Sequence, residues 1–125
     1  PDGYNVGIED THYHTKRPWM IPDRDALPMY VFHEDTVTTL PEGCDLLGSS
    51  KNCKVASFAK GGHIFTTQFH PEFCNDFMSC GLRFTESSIP AEERKSAWDS
   101  LEKDLEGHIF GLWTTQFFKE AMKNV

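Results

Sequence analysis

Apolar residues alternate with polar ones at the start of the chain. Tyr4, Val6 and Ile8 recur at every second position beside Gly3 and Gly7, the period of a short strand with one buried face. Over residues 15–28 the period is lost. Pro18, Pro22 and Pro28 each remove a backbone donor there, which predicts an irregular loop with at most one helical turn. Strand-like runs return at residues 29–33, 45–49 and 54–59; residues 36–40 lead into a Pro41-Glu42-Gly43 turn, and Lys60-Gly61-Gly62 reads as a hairpin connection. Residues 63–70 form the clearest strand, because Ile64, Phe65, Thr66, Thr67 and Phe69 are β-branched or aromatic. Beyond residue 80 the spacing becomes helical. Ser87, Ser88 and Pro90 followed by Glu92 and Glu93 predict a helix start; Ala91, Trp98, Leu101 and Leu105 line its apolar face, and Gly107 is its expected end. A second amphipathic helix is expected over Ile109, Leu112, Trp113, Phe117, Ala121 and Met122, with Lys119 and Lys123 near its C-terminus. Both helices read as cover for a core.

Composition narrows the function classes. The 125 residues suit one domain, and 12 basic against 19 acidic residues leave a net charge of −7. The basic residues are scattered as well as outnumbered, which argues against nucleic acid as a partner. Leu, Ile, Val and Phe are frequent enough for a folded but small core. The longest strictly apolar run is Met29-Tyr30-Val31-Phe32, far short of the ~20 residues that span a bilayer, and no apolar N-terminal segment resembles a signal peptide. A soluble, cytoplasmic chain with no membrane partner is the expectation. There is no internal repeat, no low-complexity tract and no phosphate-binding Gly-rich loop, Gly61-Gly62 alone being too weak a signal.

Cysteine and histidine bring the first candidate chemistry. Cys44, Cys53, Cys74 and Cys80 are separated by eight, twenty and five residues, and none of these gaps is that of a structural zinc site. Without an export signal, reduced thiols are expected rather than disulfides. No cysteine sits in the G-x-C-x-G turn that lifts a catalytic thiol on a strand-to-helix elbow. Gly43-Cys44-Asp45 is the nearest imitation, and a turn before a strand explains it. His12 and His14, two apart on an extended segment, share a face that suits a metal or the polar edge of a loop. His108 reads as a surface or capping residue.

The strand ending at Phe69 delivers His70-Pro71-Glu72. Proline favours extended geometry at the residue before it, and side chains two apart on an extended segment share a face, so Glu72 is expected within reach of the His70 imidazole. A carboxylate on one ring nitrogen fixes the tautomer and leaves the other free to take a proton from a nucleophile. On these three residues alone, a surface histidine beside a turn is an equally good reading.

The surrounding sequence adds to this. Gln68-Phe69-His70-Pro71-Glu72-Phe73 resembles the Q-F-H-P-E signature of class I (triad) glutamine amidotransferases. Val31-Phe32-His33-Glu34-Asp35-Thr36-Val37, Leu40-Pro41-Glu42-Gly43 and Leu47-Gly48-Ser49-Ser50 resemble the H-x-D-x-V, L-P-x-G and A-x-S series that precedes it there, and Gly3 to Gly7 resembles an earlier G-x-x-x-G stretch. The helices from Ile89 onward add little to the match, and Thr66-Thr67 departs from the family's small residue and Val.

The resemblance implies an α/β fold: the C-terminal half of a flavodoxin-like class I amidotransferase domain, with mixed-sheet strands followed by helices. Residues 1–125 would then be a partial domain. In that family a cysteine on the elbow attacks the glutamine amide, or in some relatives a γ-glutamyl bond. By motif match His70 is the general base and Glu72 its orienting carboxylate. His33 and Asp35 match a motif near the site and receive no catalytic role. No cofactor or metal is implied. The half that carries the elbow is not among these residues, so Pro1 reads as a cut or truncation, and the isolated chain is expected to be inactive and either to self-associate or to pair with a complementary N-terminal fragment. A regulatory or binding pseudoenzyme is the alternative, and a metal protein built on His12, His14, His33 and His70 is a third.

Overall fold

The structure, a computed structural model, describes residues 5–102 and 105–123; Pro1, Gly3 and Tyr4, which the sequence reading used, lie outside the described residues. The alternating pattern at the N-terminus becomes β1 (Asn5–Tyr13), longer than the expected strand and paired antiparallel with β2 (Ala26–His33) in a register that sets Gly7 opposite Val31 and Thr11 opposite Leu27. β3 (Asp45–Ser50) joins β1 only along Thr11–Tyr13 and pairs with β4 (Cys53–Lys60), which pairs with the short β5 (Ile64–Phe65). The order is β2-β1-β3-β4-β5, with every neighbouring pair antiparallel. The Pro41-Glu42-Gly43 turn forms as expected: Cys44 N–H donates to Pro41 C=O at 3.2 Å, and Gly43 takes the φ of +78° that the turn requires.

Alternation along β2 decides which layer each residue joins. Leu27, Met29 and Val31 face one core with Leu47, Ala59 and Phe69, closed by Ile109, Phe110, Trp113 and Phe117 of α3 (Gly107–Lys123). Trp113 is fully buried, meets Tyr13 edge-on at 5.0 Å between ring centroids, and donates its indole N–H to Pro22 C=O at 2.8 Å. Tyr30 and Phe32 face the other way. They pack with Ile8, Met78, Leu82, Ile89 and Ala97 under α1 (Asn75–Phe84) and α2 (Ala91–Ser100).

The expected loop before β2 is irregular. Its ion pairs, Lys16–Asp23 at 2.8 Å, Arg17–Asp45 at 2.5 Å and Arg24–Glu106 at 2.8 Å, lie at the surface and contribute up to about 1 kcal/mol each. Burial of Trp19 and Met20 in the core beside α3 anchors it more firmly.

Because β3 pairs with only the end of β1, the first half of β1 has an open edge, and α2 fills it. Ile8 N–H donates to the Ser100 hydroxyl at 2.8 Å, which itself donates to Ala97 C=O at 2.6 Å. Gly7, at φ +114°, allows this approach, since a Cβ there would lie 3.0 Å from the Ala97 Cα.

Three expectations change. The strand over 63–70 is regular only at Ile64–Phe65, although its partner continues: Thr66 N–H bonds Phe58 C=O at 3.0 Å and Gln68 N–H bonds Ala56 C=O at 2.8 Å. Gly107 does not end the first helix, which stops at Ser100; it begins α3, where Ile109 N–H reaches Glu106 C=O at 2.9 Å. α1 was not expected at all.

Candidate active site

The sheet brings its two ends together at His70. The chain leaving β5 crosses to the opposite edge strand, where His70 N–H donates to Tyr30 C=O of β2 at 2.8 Å, and Phe69 is buried against Phe110 with 4.9 Å between ring centroids. The chain then turns. Phe73 N–H bonds back to His70 C=O at 3.3 Å, closing a four-residue turn with Pro71 in the second position, where its fixed φ is favourable.

The turn places two groups on the imidazole. Glu72 Oε1 lies 3.1 Å from His70 Nδ1, and the Phe73 ring stacks on the imidazole with centroids 4.1 Å apart and planes inclined by 5°. The sequence reading expected the His70–Glu72 contact from an extended segment; it forms, but across a turn. With Nδ1 donating to the carboxylate, Nε2 is the nitrogen left to take up a proton.

His33 ends β2, and Asn5 Nδ2 donates to its Nε2 at 3.3 Å. Burial pushes its pKa below the usual histidine value, assisted by nearby His70 and opposed by Asp35 and Glu9. The loop after it is pinned by Gln68, whose side-chain oxygen accepts Val37 N–H at 2.9 Å and the Cys53 thiol at 3.8 Å. Sequence reasoning gave Gln68 no task of its own, although it stands in the quoted motif.

All four cysteines are free thiols. Cys53 is buried, which pushes its thiol pKa up and away from nucleophilic use; Cys74 precedes α1 and is exposed, as is Cys80. Among the described residues no thiol is hydrogen-bonded to His70. Nor does any group of three His, Cys, Asp or Glu side chains suit a metal ion there, so His12, His14, His33 and His70 are not gathered into one. His14 instead contacts the Ser49 hydroxyl at 2.6 Å, and His108 is an exposed residue in the first turn of α3.

Two concavities flank these elements. A polar one of about 310 Å³ lies between β1 and α2, lined by Asn5, Glu9, Lys51, Asn52 and Ser100. An apolar groove of about 300 Å³ runs along α1, lined by Phe32, Phe73, Phe77, Met78 and Phe84.

No family model matches the chain. It is 44% identical over 53 residues to gamma-glutamyl peptidase 3 of Arabidopsis thaliana, a stretch covering 42% of this chain and 21% of that protein. It is 36% identical over 61 residues to a glutamine-hydrolyzing GMP synthase of Caldicellulosiruptor saccharolyticus, covering 48% of this chain and 12% of that one. The crystal structure of a glutamine amidotransferase from Thermotoga maritima superposes with a TM-score of 0.69 at 16% identity, over 95% of this chain and 51% of that chain. The chain therefore has about half of that α/β fold and spans a small part of its curated relatives.

Proposed function

We propose that this class I glutamine amidotransferase-like chain, a partial domain over residues 1–125, supplies the histidine and glutamate of a Cys-His-Glu triad that hydrolyses the amide of glutamine or a γ-glutamyl bond. The turn at 70–73, which puts a carboxylate on Nδ1 and leaves Nε2 free, is the observation that carries the reading. His70 Nε2 takes the proton of a cysteine thiol, and the thiolate attacks the side-chain carbonyl carbon. The imidazolium then protonates the departing nitrogen, so that ammonia or an amine leaves and a γ-glutamyl thioester remains. His70 next deprotonates a water, which attacks the thioester and releases glutamate and the thiol. Glu72 holds the tautomer and stabilises the imidazolium at each stage.

The thiol comes from a segment outside these residues, either a complementary chain or the rest of a longer one, so the 125-residue chain alone has no glutaminase activity. Its setting is the cytoplasm, in keeping with four free thiols. No helix among the described residues is long and apolar enough to cross a membrane.

The test is co-expression with a polypeptide carrying the G-x-C-x-G elbow, assayed for glutamate release from glutamine and from γ-glutamyl dipeptides. Activity that disappears on His70→Ala supports the reading. Activity that survives His70→Ala refutes it. Absence of hydrolysis from a stably associated pair identifies a non-catalytic binding or regulatory protein instead.

A further inference from the structure

We infer that Phe73 is a positioning residue for His70, its ring fixing the plane of the imidazole and stabilising the protonated form. The inference rests on the reading of His70 as the proton carrier. A histidine ring turns readily about its outer torsion, and a single hydrogen bond to the largely exposed Glu72 carboxylate restrains that rotation only loosely. A parallel ring 4.1 Å away restrains it much more, because rotation drives the imidazole edge into the phenyl face. The phenyl face is also the negative end of the ring's quadrupole and attracts a cation placed over it.

Phe73 is itself held in place. Its N–H closes the turn on His70 C=O, its ring meets Phe77 at 4.5 Å, and it packs against the buried cluster of Ile8, Tyr30 and Met78. Other ionisable groups surround the turn: Glu72 within it, His33 at the end of β2, Tyr30 on β2, and Cys74 and Asp76 at the start of α1. None of these presents a stacked ring to His70.

The experiment is an NMR pH titration of the His70 ring resonances in the 125-residue chain and in Phe73→Leu, Phe73→Met and Phe73→Tyr. In the parent, the ring protons carry the upfield displacement of a stacked phenyl. Phe73→Leu removes that displacement and lowers the His70 midpoint by about half a pH unit, a threefold loss of proton affinity or about 0.7 kcal/mol. Phe73→Met does the same and serves if the leucine variant does not fold, while Phe73→Tyr restores both signals. Simple loss of packing would disturb the amide spectrum without being reversed by an aromatic ring. Unchanged ring shifts and midpoint in both aliphatic variants overturn the inference, whether or not the complemented chain hydrolyses glutamine. If the shifts move as described but the complemented pair is inactive, the stacking stands and the functional reading fails.

Discussion

Replacing Gly7 with alanine tests whether α2 docks on β1 as described. At φ +114° an L-residue occupies sparsely populated backbone, which costs on the order of 1–3 kcal/mol. The new Cβ would also stand 3.0 Å from the Ala97 Cα and press on the Ser100 hydroxyl. A helix backbone atom cannot swing aside as a side-chain tip can, so α2 must back away and the 2.8 Å bond from Ile8 N–H to Ser100 is lost. Leaving that N–H without its partner adds roughly 1–3 kcal/mol, giving a total of about 2–4 kcal/mol once the overlap of the two effects is allowed for. Ser100→Ala removes both hydrogen bonds of the Ser100 hydroxyl, to Ile8 N–H and to Ala97 C=O, without the backbone clash, and should cost about 1–2 kcal/mol. Urea unfolding read by tryptophan fluorescence reports both, since Trp19 and Trp113 lie in the core. At a slope near ~1.5 kcal/mol/M, Gly7→Ala should lower the midpoint by roughly 1.3–2.7 M and Ser100→Ala by about 1 M. The double variant should fall short of their sum, because both break the same contact. A Gly7→Ala midpoint equal to the parent's would refute this account of α2.

Two further predictions concern ionisation and thiol access. Because burial lowers the folded-state pKa of His33 below its ordinary 6.5, the neutral ring stabilises the fold fully above that value, and the contribution is lost as the pH falls through the lowered one. Unfolding free energy should therefore decline on acidification below about pH 6.5. His33→Gln should flatten that part of the profile, and an unaltered slope would contradict the assignment. Iodoacetamide should label Cys74 and Cys80 in the native chain and Cys53 only after denaturation, as peptide mass spectrometry can resolve; native labelling of Cys53 would show that β4 is not packed as described.

The residues that made the fold legible were those with one strong local signal. Alternation marked β1, a compact apolar run marked the second half of β2, Gly43 marked its turn, and Pro90 with Glu92 and Glu93 marked the start of α2. α1 carried a weaker signal. Its buried pair, Met78 and Leu82, has helical spacing, but Gly81 lies between them and disfavours a helix by about 1 kcal/mol. The reason for that glycine is tertiary: a Cβ there would lie 3.3 Å from the Phe32 ring, and no local pattern shows that neighbour. Gly107 was misread for a related reason, since a glycine ends one helix or opens another depending on where the chain next packs. At the candidate site, the motif singled out His70 and Glu72, whereas the contacts of Gln68 and Phe73 cross the sheet or close a turn and no local pattern shows them.

The turn also bears on how much of the site this chain can organise unaided. Four contacts orient His70: its N–H on Tyr30, its C=O under Phe73 N–H, Glu72 on Nδ1, and the Phe73 ring on its face. All four come from β2 or from the three residues after the histidine. None requires a segment beyond these 125 residues, so under the proposed function the proton carrier is set in tautomer and plane before any thiol arrives. Bringing up the thiol then costs association and alignment of one partner against a fixed base, which is cheaper than ordering both at once. Proline in the motif has a folding task on this view. It closes the turn that carries both the carboxylate and the aromatic ring onto the same imidazole, a geometry an extended strand could supply for Glu72 but not for Phe73.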